Sequence, residues 1–161
     1  MKAEPKELKF KVNGKLYELK VKPNALLSDV LRKDLKLTGT KRGCLESTCG
    51  VCTVIIDRKA VRSCSVLALQ ASGHEVTTIE GLAKAGEMSD VQEAFVEKYG
   101  FQCGFCTPGM ILTAKALLDE NPNPTVEEIK DQLEGNLCRC TGYEQIIESV
   151  LRAAELRAAR R

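Results

Sequence analysis

Cysteine is the residue type in this sequence that most clearly points to chemistry. The 161-residue chain has eight cysteines, one histidine and no tryptophan. The cysteines form two groups of four along the chain: Cys44, Cys49, Cys52 and Cys64 in the first, and Cys103, Cys106, Cys138 and Cys140 in the second. Each group supplies enough thiolates for one complete site, and no thiol is left over.

Disulfides, structural zinc and iron–sulfur clusters are the three alternatives for so many thiols. The opening residues, Met1 to Glu7, lack the apolar stretch of a signal peptide. We therefore expect a cytoplasmic protein, in a reducing environment where thiols hold metal more often than they form disulfides.

The spacing of the first group, C-x4-C-x2-C-x11-C, is typical of a plant-type [2Fe–2S] ferredoxin. Three cysteines are crowded on one loop and the fourth follows a strand-length gap, whereas zinc sites usually combine two separated pairs. Gly43 and Gly50 flank the loop and allow its backbone amides to turn toward the sulfur atoms. The first group therefore predicts a [2Fe–2S] site.

The second group, C-x2-C-x31-C-x-C, is less specific. Its spacing alone is compatible with zinc as well as with iron. The ferredoxin-type loop in the same chain favours iron. Zinc, with a role in tethering subunits and no redox role, remains the alternative function.

The elements that position the first group are predicted to be mainly strands. Apolar and charged residues alternate on both sides of Asn13-Gly14, which is a hairpin turn signal. Apolar residues at helical spacing predict a short helix from about Leu26 to Asp34. Further strands are expected over Val51 to Asp57, Ala60 to Ser65 and Glu75 to Ile79. This order of elements indicates a β-grasp ferredoxin-like domain over residues 1–81.

From about Gly81 the apolar period lengthens to that of helices, so residues 82–161 are predicted to form a helical domain. Capping boxes predict helix starts after Ser89 and Thr125, and Thr107-Pro108 predicts another, with Thr107 as its N-cap. A last helix is expected from about Tyr143. The fold class is therefore α+β, with one four-cysteine site in each half.

The overall charge excludes two function classes. With 24 basic and 22 acidic residues the chain carries a formal charge of +2, without the basic excess that nucleic-acid or anionic-membrane binding needs. Apolar runs such as Val54 to Ile56 are far too short to span a bilayer.

Several segments around the cysteines resemble the iron–sulfur subunit of the molybdenum hydroxylases. That family includes xanthine oxidase, aldehyde oxidoreductase, carbon monoxide dehydrogenase and nicotinate dehydrogenase. The similar segments are Gly43 to Val54, Ser63-Cys64, Gln102 to Met110 and Gly135 to Tyr143. Leu45 and Ser47 depart from the pattern, since many members have an acidic or amide residue and a glycine at these two positions.

The resemblance implies a ferredoxin-like domain followed by a four-helix-bundle domain, each with a [2Fe–2S] cluster. It implies an electron-transfer subunit without catalytic residues, between a large molybdopterin subunit and a medium FAD subunit, in a dimer of heterotrimers. The second cluster would lie near molybdenum and the first would face the flavin. Gln102 and Cys140 occupy the positions that contact the pterin in that family.

Overall fold

A five-stranded mixed sheet and four longer helices make up most of the chain in a computed structural model, which describes residues 4–83 and 86–160. The strands are β1 (Lys6–Val12), β2 (Lys15–Val21), β3 (Thr53–Ile56), β4 (Lys59–Arg62) and β5 (Glu75–Thr77). Their order in the sheet is β2-β1-β5-β3-β4, and only β1 and β5 pair in parallel. The mixed sheet agrees with the ferredoxin-like first half that the sequence predicts.

The β1–β2 hairpin forms as its alternating pattern predicts. Leu8, Phe10 and Val12 are buried on one face of β1, while the residues between them are exposed. Asn13 and Gly14 both have positive φ, at 51° and 79°, which is the geometry of a two-residue hairpin turn.

One short helix packs on this sheet. It consists of a single α-helical turn, α1 (Leu27–Asp29), which continues as a π-helical turn over Val30–Asp34. Leu27, Val30 and Leu31 are buried with the inner face of the hairpin in one hydrophobic core. The apolar spacing predicted the helix and the face that it buries, but not its π-helical second turn.

The second half contains α2 (Asp90–Glu97), α3 (Thr107–Glu120), α4 (Val126–Leu133) and α5 (Glu144–Ala159). Both predicted capping boxes are confirmed: Ser89 exchanges hydrogen bonds with Gln92, and Thr125 with Glu128. The predicted N-cap of α3 is off by one residue. Cys106 is the cap, and Thr107 lies in the first turn, where its buried Oγ1 has no hydrogen-bond partner among the described residues.

The two halves share a hydrophobic core. Val51 and Ile55, from the sheet region, are buried in the same cluster as Met110 and Ala114 of α3 and as Phe95 of α2. The packing of α3 on β3 is therefore continuous with the packing between the helices. This continuity holds the two cysteine-bearing regions against each other.

Arginines on α5 form ion pairs with the neighbouring helices. Arg157 bonds Asp90 of α2 at 2.5 Å and Asp119 of α3 at 2.9 Å. Burial opposes ionisation of Asp90, but its hydrogen bond and charge interaction with Arg157 lower its pKa below the ordinary value. Across residues 4–83 and 86–160, no helix is both long and apolar enough to cross a bilayer.

Candidate iron–sulfur sites

The first site lies on the loop between the π-helical turn and β3. Leu45, Ser47 and Gly50 have positive φ, at 61°, 68° and 67°, so the backbone reverses repeatedly. These reversals direct amide hydrogens at sulfur: Cys44 Sγ accepts from Glu46 N–H at 3.5 Å and from Cys49 N–H at 3.4 Å. Backbone N–H groups are the donors that stabilise thiolates in a cluster site.

The remaining two thiols of the first group are brought together by the turn that follows β4. Ser63 holds this turn, because its backbone N–H and its hydroxyl both donate to the carbonyl oxygen of Cys52, at 3.3 and 2.7 Å. Cys52 and Cys64 are buried side by side. The four thiols therefore form two pairs, with Cys44 next to Cys49 and Cys52 next to Cys64.

The second site is assembled from two separate segments that precede helices. Cys103 and Cys106 stand just before α3, and Cys138 and Cys140 just before α5. Again the thiols lie in pairs, Cys106 beside Cys138 and Cys140 beside Cys103. The partial positive charge at the N-terminus of α3 favours anionic groups at this position.

Each site combines a thiol whose pKa is lowered with at least one whose pKa is raised. Hydrogen bonds from Thr48 and from backbone amides lower the pKa of Cys44 to about 6, whereas burial raises the pKa of Cys52 to about 11. In the second site burial raises the pKa of Cys106 to about 12. Burial acts on Cys138 in the same direction, but the Thr141 hydroxyl and amide lower its pKa to about 7.

Tyr143 closes the segment that carries Cys138. Its hydroxyl accepts a hydrogen bond from Cys138 N–H at 2.9 Å and donates to the Asn136 carbonyl oxygen at 3.1 Å. Tyr143 itself has φ +72°, a left-handed conformation that costs free energy in a non-glycine residue. The two hydrogen bonds of its hydroxyl join Tyr143 to the backbone on both sides of Leu137.

Hydrogen bonds join the two sites directly. Leu137 N–H, adjacent to Cys138, donates to the carbonyl oxygen of Cys49 at 2.9 Å. Arg62 Nη2, two residues before Cys64, donates to the Gly135 carbonyl oxygen at 3.1 Å. The loops that carry the two sets of thiols are therefore in contact.

Three glycines make this close approach possible. A Cβ on Gly50 would lie 2.2 Å from the Gly135 carbonyl oxygen, and one on Gly109 would lie 2.5 Å from the Gly50 carbonyl oxygen. A Cβ on Gly135 would lie 1.8 Å from Arg62 Nη2. We call this contact of Gly50, Gly109 and Gly135 the glycine seam.

The thiols present suit a [2Fe–2S] core at each site. All eight are free, and Gly43 leaves room at the sulfur of Cys49, where a Cβ would come within 3.0 Å. Within the described parts of the chain, no three His, Cys, Asp or Glu side chains converge as ligands of a single ion. A [2Fe–2S] core asks only two protein thiolates of each iron, which the observed pairs provide.

Two family models match the chain in tandem. Residues 10–81 match the 2Fe-2S iron-sulfur cluster binding domain, and residues 78–151 match the [2Fe-2S] binding domain. The nicotinate dehydrogenase small FeS subunit of Eubacterium barkeri is 49% identical over 92% of this chain and 94% of that protein. The xanthine dehydrogenase iron-sulfur-binding subunit of Escherichia coli O157:H7 is 46% identical over 87% of this chain and 89% of that protein.

The chain belongs to the molybdenum hydroxylase iron–sulfur subunits. Solved structures agree with this assignment. Quinoline 2-oxidoreductase from Pseudomonas putida 86 contains a chain that superimposes with a TM-score of 0.93 at 43% identity, covering 98% of both chains. Aldehyde oxidoreductase from Desulfovibrio gigas superimposes with a TM-score of 0.92 at 43% identity, over 97% of this chain and 18% of that longer one.

The second site of this iron–sulfur subunit opens onto an exposed, partly apolar surface. Cys103 and Cys140 are exposed, and so is Gln102, which the family resemblance associates with the pterin. Phe105 and Leu137 beside them have exposed fractions of 47% and 55%. Both predicted pterin-contacting residues are therefore accessible from outside the subunit.

Sequence reasoning missed the residues that join the two sites of the subunit. Asn136 and Tyr143 stand in a segment that was singled out for its cysteines, but their own contacts were not predicted. Arg62 was not singled out at all. The signal available was their position, since each stands within five residues of a cysteine.

Proposed function

We propose that this chain is the electron-transfer subunit of a molybdenum-containing hydroxylase or dehydrogenase complex. It would pass electrons between a molybdopterin centre in a large subunit and FAD in a medium subunit. The two matched [2Fe–2S] domains and the relatives, which are named as subunits of dehydrogenases, support this function.

The observed thiol pairs suggest which residues would hold each iron. In the first site, the pair Cys44 and Cys49 would hold one iron, and the pair Cys52 and Cys64 the other. In the second site, the corresponding pairs would be Cys106 with Cys138 and Cys103 with Cys140. When bound, a [2Fe–2S] cluster accepts and releases one electron at a time, which suits a carrier between two centres that exchange electrons in twos.

The hydrogen bond from Leu137 N–H to the Cys49 carbonyl oxygen, 2.9 Å long, is the observation that carries the proposal. Cys49 is a proposed ligand of the first cluster, and Leu137 precedes a proposed ligand of the second. A relay needs its two centres close and at a fixed separation. The hydrogen bond joins two ligand-bearing loops that also pack together at the glycine seam, so the two centres would be close and their separation fixed.

The exposure of the second site supports an orientation in which this site faces the large subunit of the complex. Cys140 and Gln102 would contact the pterin of the large subunit, and the apolar surface formed by Phe105 and Leu137 would be covered there. The first site would then face the flavin. We further propose a dimer of heterotrimers, a cytoplasmic location consistent with eight free thiols, and a domain boundary near residue 81, with α2–α5 as a four-helix bundle.

Replacing one exposed ligand tests the relay. In the purified complex, Cys103→Ser should abolish reduction of the flavin by substrate and leave reduction of molybdenum intact, as followed by stopped-flow absorbance. Ser65→Ala, close to the first site but outside the thiol set, serves as the control and should leave flavin reduction unchanged. Undiminished flavin reduction in Cys103→Ser would contradict the relay.

Metal analysis separates the relay from the zinc-tether alternative. The relay requires about four irons per chain and visible absorption from the clusters. A colourless preparation with zinc in place of iron would support the tether and refute the relay.

A further inference from the structure

Asn136 has a buried side chain that bonds to both cysteine-bearing regions. Its residue is only 5% exposed. Its Nδ2 donates to the Gly50 carbonyl oxygen at 3.1 Å, and its Oδ1 accepts from the Thr113 hydroxyl at 3.1 Å. The bond to Gly50 links residues 86 positions apart in the sequence.

The orientation of this amide is determined by its partners. The Gly50 carbonyl oxygen can only accept a hydrogen bond, so the NH2 group of Asn136 must face it. The amide oxygen then faces the hydroxyl of Thr113, which is 2% exposed and can donate. A buried amide satisfied in this way favours one arrangement of its neighbours, because any shift leaves a polar group without a partner.

The three residues in this network each lie on a segment that carries proposed ligands. Gly50 stands between Cys49 and Cys52, and Asn136 stands two residues before Cys138. Thr113 lies on α3, the helix that begins directly after Cys106. The network thus connects the loop of the first site to both segments of the second.

We propose that Asn136 is a positioning residue that fixes the separation of the two cluster sites and thereby the electronic coupling between them. This inference rests on the proposed function, since it presupposes two clusters. Asn136 would act through Gly50 and Thr113 and would not ligate iron. A side chain that only filled the core would change thermal stability and leave the separation of the sites unchanged.

Two variants and one matched control test the role of Asn136 in the complete chain with the subunits that accompany it. Asn136→Leu removes both hydrogen bonds with a side chain of similar size. Thr113→Val removes only the bond to Oδ1 and has the better prospect of folding. Thr78→Val is the control: Thr78 is also buried, and its Oγ1 accepts from Asn13 Nδ2 at 2.9 Å and donates to Glu80 at 2.6 Å, so the control removes at least as many hydrogen bonds, outside both cysteine loops.

The primary readout is the magnetic dipolar interaction between the two reduced centres, measured by EPR, because it falls with the inverse cube of their separation. We expect a weaker interaction in Thr113→Val, a still weaker one in Asn136→Leu, and no change in Thr78→Val. Hydrogen exchange of the Leu137 amide, the donor to Cys49, should be faster in Thr113→Val than in the control.

An unchanged dipolar interaction in Thr113→Val, with both clusters present, would overturn the positioning role and leave the relay standing. Equal weakening in Thr113→Val and Thr78→Val would overturn it too, since the effect would then reflect general loosening. A wild-type chain without two [2Fe–2S] signals would instead refute the proposed function, and the positioning role with it.

Discussion

The two cysteine sites differ in how they are built. The first site takes three of its thiols from one loop and the fourth from the turn after β4, and the hydrogen bonds described above that shape this loop and turn come from residues of the sheet-containing half. The second site is assembled from two segments separated by α3 and α4. The segment before Cys138 is held in part by groups of the other half, namely Arg62, Cys49 and Gly50.

This difference implies that the second site depends on the first more than the first depends on the second. The first site should form when the second is damaged, because the helical half only donates hydrogen bonds to the carbonyl oxygens of Cys49 and Gly50 and, among the residues that the structure describes, none to a thiol of the first site. The second site should fail when the first loop is displaced, because that loop supplies hydrogen-bond partners of Asn136 and Leu137. The glycine seam therefore couples the two sites, although the second site depends on this contact more than the first does.

Gly50→Ala should have the largest effect, because it displaces the seam that both sites share. Alanine at φ +67° costs about 1–2 kcal/mol, and its Cβ would lie 2.2 Å from the Gly135 carbonyl oxygen, which cannot move freely. We expect loss of iron from both sites, measured by metal analysis and EPR. Gly73→Ala, at φ +80° with open space around it, should cost only the free energy of placing alanine at positive φ, and the chain should keep both clusters. Full iron content in Gly50→Ala would refute the shared seam.

Arg62→Met should have a smaller effect, confined to the second site. Arg62 donates a charged hydrogen bond to the Gly135 carbonyl oxygen, and its loss should reduce the free energy of unfolding by about 1–2 kcal/mol. The EPR signal of the second cluster should weaken while that of the first persists. Arg58→Met, at an exposed turn of the same half, is the control. Loss of the EPR signal of the first cluster, with that of the second retained, would contradict the dependence of the second site on the first.

Alkylation of the iron-free, folded chain should show labelling midpoints for Cys44 and Cys138 that differ by about one pH unit. A lowered pKa means that the thiolate predominates at lower pH, so labelling of Cys44 should rise through about pH 6 and that of Cys138 through about pH 7. Cys52 and Cys106 should stay unreactive at those pH values, since burial raises their pKa to about 11 and 12. Mass spectrometry after timed labelling gives each midpoint. Identical midpoints near pH 9 would contradict the hydrogen bonding of these thiols.

Ser47→Gly should have the smallest effect and should stabilise the first loop. Ser47 has φ +68°, a conformation that glycine adopts without steric cost, as the family preference for glycine at this position suggests. The gain is reduced by loss of the Ser47–Ser65 hydroxyl bond of 3.0 Å, which leaves a net increase of about 0.5 kcal/mol in the free energy of unfolding. Ser65→Ala, which removes this bond together with the bond from Ser65 to the Arg62 carbonyl oxygen and leaves the backbone of Ser47 as it is, should not stabilise. Denaturant titration of the two variants measures both effects.

Local features of the sequence predicted most of the elements. The Asn13-Gly14 turn, the alternating pattern of the hairpin and the two capping boxes depend on residues within a few positions of each other, so their geometry is encoded locally. The errors are also local. The strands predicted over Ala60 to Ser65 and Glu75 to Ile79 end early, at Arg62 and Thr77, and short 3-10 turns follow them over Ser63–Ser65 and Ile79–Gly81. Cys106 replaced Thr107 as the N-cap of α3, and α1 continued as a π-helical turn that no residue spacing specifies.

The contact between the two cysteine-bearing regions could not be predicted in the same way. Asn136 and Gly50 are 86 positions apart, and no periodic pattern relates them. Gly50 was singled out for amide direction around the first cluster, whereas its contact with Gly135 depends on how two separately encoded segments pack. Arg157 and Asp90 are a parallel case, 67 positions apart and bonded across two helices.

EPR of the chemically reduced protein, combined with iron quantification, tests the central claim most directly. The account predicts about four irons per chain and two inequivalent [2Fe–2S] signals that interact with each other, because the thiol pairs of both sites belong to loops joined by the hydrogen bond between Leu137 and Cys49. A protein with zinc in place of iron, or with a single type of cluster signal, would contradict it.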